Sequence, residues 1–189
     1  MKGLNILQYN AGKSPNRQQT LLAQPQTWDF DIIALQEPSF NPQTGGTYCP
    51  RSCPFWPVYE ARNKQTRVAL LLHKRLSPST WEVSQPHDHM QSAFIQTSGS
   101  MKIQLINIYV QAEGGQVHPS GNSALNQVES VAQPDLELIL LGDFNLHHPK
   151  WGGSRVQQAD QAAHTLIDIT TSLGLYLATT PGSITWKSG

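Results

Sequence analysis

Short apolar runs separated by turn-forming residues recur along most of the chain. They span 4–9, 31–37, 67–73, 79–84, 92–97, 101–110 and 136–141. Runs of this length, rich in Ile, Leu and Val and bounded by Gly, Pro, Asn or Ser, are typical of β-strands. We therefore predict strands in these segments, with a hairpin-like break at 98–100 before the strand that begins at Met101.

Apolar residues at helical spacing predict helices in three other segments, 16–28, 123–133 and 160–173. In the first of them, Pro25 limits how far a regular helix can run. The stretch 38–57 contains five prolines and is predicted to be a loop. Helices combined with antiparallel strands, without an internal repeat or a linker, predict one α/β sandwich domain over residues 1–189.

Composition and charge limit the classes of protein that the chain can belong to. Of its 189 residues, 38% are hydrophobic and 14% charged, which suits a folded core. Thirteen basic and thirteen acidic residues cancel, so a nucleic-acid partner needs a local patch. The longest apolar run, 68–72, has five residues, whereas a membrane span needs about 20. With its early polar residues, the chain is expected to stay inside the cell without a membrane partner.

Two smaller groups of residues each leave alternatives open. Five basic residues fall within fourteen positions, namely Arg62, Lys64, Arg67, Lys74 and Arg75. They are compatible with a phosphate-contacting patch and equally with a solvated strand-and-loop face. Cys49 and Cys53 are too few for a disulfide framework and lack the second half of a zinc site, so we interpret them as reduced loop thiols rather than a disulfide or metal site.

Polar side chains that can bind a metal ion or a phosphate follow several of the predicted strands. They are Asn10, Glu37, Tyr109, Asp143 and Asn145. Because ligands in open α/β folds bind outside the carboxyl ends of strands, we expect these side chains to converge. Asp143 and Asn145 are two residues apart, which would place them on the same face of an extended backbone. Gly142 before them would let a substrate backbone approach closely.

The residue types favour phosphoester chemistry with magnesium. The Glu37 carboxylate and the Asn10 amide oxygen are hard oxygen ligands, typical of Mg²⁺ that keeps several waters and takes phosphate oxygens. Asp143 would position or deprotonate a water molecule, while Asn145 and Tyr109 would donate to a phosphate oxygen. For each residue alone, a turn or helix cap is the alternative interpretation.

Four motifs taken together resemble the endonuclease/exonuclease/phosphatase superfamily. In chain order they are Gln8-Tyr9-Asn10, Leu35-Gln36-Glu37-Pro38, Asn107-Ile108-Tyr109 and Gly142-Asp143-Phe144-Asn145. The longer run 142–153, Gly-Asp-Phe-Asn-Leu-His-His-Pro-Lys-Trp-Gly-Gly, is similar to the apurinic-type endonuclease domain of LINE-type (non-LTR) retrotransposons. The segment 181–186, Pro-Gly-Ser-Ile-Thr-Trp, fits the same family.

The resemblance implies a four-layer α/β sandwich with two facing mixed, mainly antiparallel sheets. It also implies a phosphodiesterase that depends on Mg²⁺, with Mn²⁺ as a substitute, and nicks nuclear DNA to prime reverse transcription. The chain would act as a monomer or within a larger polyprotein that carries a reverse transcriptase.

The resemblance also assigns roles to individual residues. Asn10 and Glu37 would lie at the metal and Tyr109 at the scissile phosphate, while Asp143 and Asn145 would orient the attacking water and stabilise the transition state. Arg67, His147 and Trp151 are candidate substrate-binding residues. For His147 and Trp151, simple packing is the alternative, and for Trp151 it is the favoured one.

The end of the chain departs from this family. Members normally continue beyond the Thr-Trp segment with a strand that carries an Asp and then a Ser-Asp-His-type motif, whereas this sequence stops at Gly189. We therefore expect a domain that lacks the last strands and has an incomplete site. Another Asp-His pair, Asp88-His89, is predicted to lie in a mid-chain loop. A catalytically inactive relic stays open as an alternative, as does a phosphatase or lipid phosphodiesterase, although the 142–153 loop argues against the last.

Overall fold

Two four-stranded sheets form the centre of the computed structural model, which describes residues 3–41, 43–59, 66–97, 101–113 and 116–183. The first sheet consists, in spatial order, of β1 (Ile6–Asn10), β2 (Ile32–Gln36), β4 (Val68–His73) and β3 (Phe55–Val58). The second consists of β10 (Glu137–Asp143), β7 (Lys102–Tyr109), β6 (Met90–Gln96) and β5 (Trp81–His87). The β1–β2 and β7–β10 pairs are parallel and the other neighbours antiparallel, which confirms the predicted mixed sheets.

Helices cover the outer face of each sheet. They are α1 (Pro15–Ala23), α2 (Pro119–Asn126), α3 (Val128–Val131), α4 (Pro149–Gly152) and α5 (Gln161–Ser172), with short 3₁₀ turns at Pro25–Asp29, Pro78–Thr80 and Gly153–Arg155. A small hairpin of β8 (Ala112–Glu113) and β9 (Gln116–Val117) precedes α2. Leu21 and Leu22 of α1 pack on the first sheet, and residues of α2, α3 and α5 pack on the second. The order is therefore helix, sheet, sheet, helix.

The burial of each strand explains its sequence pattern. All five residues of β2 are buried, because α1 lies against one face of the first sheet and the second sheet lies against the other. A continuous apolar run is the expected sequence for such a strand. The edge strand β5 instead alternates between half-buried and exposed positions, since one of its faces meets solvent.

Several element predictions differ from the structure. The predicted loop 38–57 runs into β3, where Pro57 is tolerated because β3 is an edge strand. The helix predicted over 123–133 begins at Pro119 and is divided into α2 and α3 at Gln127. The β8–β9 hairpin is too short to produce an apolar pattern, and the predicted break at 98–100 lies outside the described residues. Within the described ranges, no helix is long and apolar enough to cross a membrane.

A chain of side-chain amides crosses the apolar interface between the two sheets. Gln36 of β2 donates to the Asn107 Oδ1 of β7 over 2.6 Å, and the Asn107 amide donates to the Leu35 carbonyl over 3.2 Å. Gln8 of β1 donates to the Gly142 carbonyl of β10 over 2.8 Å. Gln36 and Asn107 are fully buried, so these bonds satisfy groups that water does not reach.

Replacing Asn107 should therefore destabilise the protein although leucine has a similar size. We expect Asn107→Leu to lower the free energy of unfolding by about 2 to 3 kcal/mol, because the buried Gln36 amide loses its shortest hydrogen bond. Urea unfolding would measure the loss. Gln96→Leu, at an exposed position of β6, is the control. Equal stability of the two variants would contradict a structural role for the amide chain.

Candidate active site

The predicted site residues meet where β1, β2, β7 and β10 end. Asn10 is the last residue of β1 and Asp143 the last of β10, and the Asn10 Nδ2 donates to the Asp143 Oδ2 over 2.5 Å. Tyr109 is the last residue of β7, and its phenol lies near the Glu37 carboxylate, which follows β2 and whose negative charge raises the pKa of the phenol. Both contacts join the first sheet to the second, so residues more than 70 positions apart share one edge of the sandwich.

The backbone at Glu37 turns sharply to present its side chain. Glu37 has a φ of +46°, a left-handed conformation that side-chain-bearing residues rarely adopt. Its carbonyl accepts a hydrogen bond from the Lys13 N–H over 2.7 Å, and its own N–H donates to the Arg67 carbonyl over 2.8 Å. These bonds hold the strained conformation, which is typical of residues in functional sites.

Two cationic side chains flank the Glu37 carboxylate. Lys13 Nζ and Arg67 Nη1 each lie 3.7 Å from the Glu37 Oε1, whose side chain is only 17% exposed. Arg67 therefore lies at the site, where the sequence predicted a substrate-binding residue. Lys13 was not predicted, although its place in the Gly12-Lys13-Ser14 turn directly after Asn10 was a signal that could have identified it.

Tyr109 stays protonated at the centre of this group. Burial raises the pKa of the Tyr109 phenol well above its ordinary value, and the negative charges of Glu37 and Asp143 raise it further. Arg67 acts in the opposite direction and lowers this pKa. The phenol is therefore a hydrogen-bond donor at any physiological pH and not a base.

The loop after β10 is shaped by close backbone contacts. A Cβ atom at Gly142 would overlap the Ile108 carbonyl, so the neighbouring strand and not a substrate requires glycine there. The Asp143 Oδ1 accepts the Asn145 N–H over 3.2 Å, and the Asn145 amide donates to the Val110 carbonyl over 3.0 Å. Asn145 has a φ of +46°, so the extended backbone assumed in placing it on the same face as Asp143 is wrong.

His89 packs directly behind Tyr109, which the sequence did not predict. The pair Asp88-His89 does lie in a turn, between β5 and β6, but the His89 ring is only 4% exposed and its Nδ1 lies 3.2 Å from the Tyr109 carbonyl oxygen. The Tyr109 N–H donates to the His89 carbonyl, and the Arg67 N–H donates to the Asp88 carbonyl. One turn thus positions the backbone of two site residues.

Known proteins share this arrangement of strands and helices. Residues 103–189 match the family described as endonuclease-reverse transcriptase. The endonuclease domain of TRAS1, a telomere-specific non-LTR retrotransposon, superposes with a TM-score of 0.70 at 19% identity, over 95% of this chain and 76% of that one. The chain has the fold of this endonuclease domain, and its residues 103–189 resemble the endonuclease-reverse transcriptase family. The resemblance read from the sequence motifs is therefore confirmed.

A second solved structure of this superfamily fold is that of D. rerio TDP2 complexed with a single-strand DNA product. Its TM-score is 0.50 at 15% identity, over 93% of this chain and 66% of that one. Identities this low establish the fold and leave the residue roles to the geometry. No curated protein matches the chain in sequence.

The candidate site has the oxygen donors that suit magnesium. The negative charges of the Glu37 and Asp143 carboxylates both raise the pKa of Tyr109, so both carboxylates lie near its phenol. The third oxygen donor is the Asn10 amide Oδ1, which also accepts a hydrogen bond from the Gly12 N–H over 2.7 Å. Across the described residues, no three His, Cys, Asp or Glu side chains lie close enough to hold a metal by themselves. An open site that leaves ligand positions for water and phosphate fits Mg²⁺ and does not fit structural zinc.

His147 and Trp151 lie on the loop that leaves Asn145. The His147 side chain is 72% exposed, and its Nδ1 lies 3.0 Å from the Asp160 Oδ2. The Trp151 indole N–H donates to the Leu146 carbonyl over 2.8 Å while the ring packs on the core beneath the second sheet. Their roles in substrate binding stay predictions.

The five predicted basic residues do not form one patch at this site. Arg67 precedes β4 and Lys74 and Arg75 follow it, and six strand residues separate them by roughly 20 Å. Lys74 donates to the Cys53 carbonyl, and Arg75 pairs with Asp31 at 2.7 Å. Arg62 and Lys64 lie outside the described residues, as do 184–186 of the Thr-Trp segment.

Protonation of His89 should make the protein less stable in acid. Burial first, and then the charges of His87 and Arg67, lower the pKa of His89 to about 4. Between pH 6.5 and 4 the unfolded chain binds a proton that the folded chain does not, so this contribution is complete above pH 6.5 and is lost as the pH falls toward 4. Its size is on the order of 2 to 3 kcal/mol.

Urea unfolding of the wild type and of His89→Gln at several pH values would measure this effect. The difference in unfolding free energy between the two proteins should shrink by that amount as the pH falls from 7 to 4.5. Glutamine does not titrate, which removes the effect of His89 and leaves all other titrating groups in place. Stability curves that run parallel over this range would show that the buried histidine does not couple to folding.

Proposed function

We propose that this chain is the metal-dependent DNA-nicking endonuclease domain of a non-LTR retrotransposon. The observation that carries the proposal is the hydrogen bond of Asn10 to Asp143, with the protonated Tyr109 phenol close to the Glu37 carboxylate. These contacts bring three kinds of group to one edge of the two sheets. They are the Asp143 carboxylate to activate a water molecule, the Glu37 carboxylate to bind a metal ion, and the Tyr109 hydroxyl to donate to a phosphate oxygen. Such an arrangement supports phosphodiester hydrolysis.

Asp143 is the residue proposed to orient the attacking water and to accept its proton. Its carboxylate is held by the Asn10 amide on one oxygen and by the Asn145 N–H on the other. A fixed carboxylate with remaining lone pairs can hold a water molecule in line with a phosphorus atom. The second N–H of the Asn145 amide remains available to a phosphate oxygen.

Tyr109 and Arg67 are proposed to contact the phosphate. The Tyr109 phenol keeps its proton, and the Arg67 guanidinium lies 3.7 Å from the nearby Glu37 carboxylate. Charge that develops on phosphate oxygens in the transition state is stabilised by such fixed donors. Arg67 can also match a phosphate with two of its N–H groups.

Glu37 and Asn10 are the residues proposed to hold the divalent ion. Mg²⁺ or Mn²⁺ bound there would neutralise negative charge on the phosphate. Lys13 and Arg67 balance the Glu37 charge at 3.7 Å, a distance that leaves its oxygens accessible. The donor chemistry of the site, described above, supports this assignment.

DNA is the proposed partner, and the nucleus the proposed place of action. The description of the matched family, endonuclease-reverse transcriptase, supports a polyprotein that also carries a reverse transcriptase. The solved relatives add support, since one is the endonuclease domain of a telomere-specific retrotransposon and another is complexed with a single-strand DNA product.

The purified chain should nick supercoiled plasmid in Mg²⁺ and not in EDTA. Asp143→Ala should reduce the nicking rate at least 100-fold, because the carboxylate that activates the water is removed. Conversion of supercoiled to open-circular DNA on an agarose gel measures the rate. Asp168→Ala is the matched control, since Asp168 is exposed on α5, and it should nick at the wild-type rate.

The other outcomes of this assay also decide the question. Nicking that survives in Asp143→Ala would identify a contaminating nuclease and contradict the proposal. A folded chain that nicks nothing would favour the inactive relic. A chain that leaves plasmid intact and hydrolyses a small phosphoester such as p-nitrophenyl phosphate would favour the phosphatase alternative.

A further inference from the structure

Two edge strands of different sheets, β1 and β10, are joined by two side-chain hydrogen bonds. β1 lies at one edge of the first sheet and β10 at one edge of the second. The Gln8 Nε2 donates to the Gly142 carbonyl over 2.8 Å, and the Asn10 Nδ2 donates to the Asp143 Oδ2. Gln8 and Asn10 are two residues apart on one face of β1. This face therefore holds two consecutive residues of β10.

The two peptide groups on either side of the Asp143 Cα atom are both held. In the peptide before it, the Gly142 carbonyl accepts from Gln8. In the peptide after it, the Asp143 carbonyl accepts the Val110 N–H over 2.8 Å. Peptide groups are planar, so fixing these two planes fixes both backbone torsions of the residue between them. This pair of bonds therefore sets the direction in which the Asp143 side chain leaves the backbone.

The Gln8 amide is itself oriented by the buried amide chain between the sheets. Its Nε2 carries two N–H groups. The Gly142 carbonyl is one acceptor, and the Gln36 Oε1, at 3.4 Å, is the other. Gln36 is fully buried and donates to the Asn107 Oδ1 over 2.6 Å. Gln8 thus connects the interface between the sheets to the backbone beside Asp143.

The exposure of Gln8 separates its role from a role in stability. Gln8 lies at the surface on an edge strand, whereas Gln36 and Asn107 are fully buried. Breaking a hydrogen bond at an exposed position costs little folding free energy, because water then bonds to both partners. A water molecule does not, however, fix the carbonyl to the other sheet. The bond of Gln8 is therefore suited to orient Asp143 and contributes little to the stability of the fold.

We propose that Gln8 is a positioning residue for Asp143, the carboxylate assigned above to the attacking water. The inference rests on the proposed function and adds how its water-activating group is held. β1 fixes the Asp143 backbone through Gln8 and the Asp143 carboxylate through Asn10. Small displacements of a group that acts on the nucleophile lower the rate of a reaction steeply. Gln8 contacts neither metal nor phosphate in this assignment and acts only through Asp143.

Gln8→Met tests the proposal, because methionine has nearly the length of glutamine and no N–H donor. In plasmid nicking with Mg²⁺ its kcat should be about tenfold lower than that of the wild type. Its KM for DNA should stay within about twofold, since the residues proposed to bind the phosphate are untouched. Its thermal unfolding midpoint should change by less than about 2 °C. Gln96→Met, at an exposed position of β6, is the matched control and should keep the wild-type kcat.

The carbon-13 chemical shift of the Gly142 carbonyl provides a second measurement, made without DNA or metal. A carbonyl that loses a hydrogen bond moves upfield, so this shift should move in Gln8→Met and stay unchanged in Gln96→Met. An unmoved shift in Gln8→Met would overturn the proposal, because it would show that Gln8 does not hold this peptide in solution.

Three kinetic and stability results would also overturn it: an unchanged kcat in Gln8→Met, a loss confined to KM, or a chain that no longer folds. The last would assign Gln8 to stability. A wild type that nicks beside a Gln8→Met variant of equal kcat would leave the endonuclease proposal in place. A wild type that nicks nothing would contradict the endonuclease proposal, and the Gly142 carbonyl shift would then decide by itself whether Gln8 holds the backbone at Asp143.

Discussion

The amide chain between the sheets is the constraint on which the candidate site depends. Apolar contacts between two sheets are non-directional, so by themselves they allow one sheet to slide over the other. Gln36 and Asn107 are buried within that interface, and their hydrogen bonds can form in only one relative position of the sheets. That position brings the end of β1 to the end of β10. The contact of Asn10 with Asp143 is its direct consequence.

The site that results is balanced in charge before any ligand binds. Two carboxylates lie near Tyr109, and two cationic side chains lie 3.7 Å from one of them. Burial keeps the phenol protonated and His89 neutral at neutral pH, so neither adds a charge. The left-handed backbone at Lys13, Glu37 and Asn145 shows where the chain accepts strain to direct side chains into the site.

The same loops that carry the site residues also form its surroundings. The segment from Asp143 to Asp160 leaves the proposed phosphate site, passes His147 and Trp151, and ends at the N-cap of α5. The segment after Tyr109 forms the β8–β9 hairpin and α2. Within this superfamily fold, loops can in this way vary recognition while the strands keep the chemistry.

The sequence by itself determined the longer strands, the approximate positions of the helices and the α/β class, because apolar periodicity reports how each segment is buried, whereas it did not indicate β3 or the β8–β9 hairpin. It also determined that Asn10, Tyr109 and Asp143 lie at the ends of strands and that Glu37 directly follows one, since each comes immediately after its apolar run. Only the tertiary structure decided that Asn10 bonds to Asp143, that Gly142 makes room for Ile108, and that His89 and Lys13 border the site. These contacts join residues far apart in the chain. Their geometry is set by how the two sheets pack, which no local pattern of residues encodes.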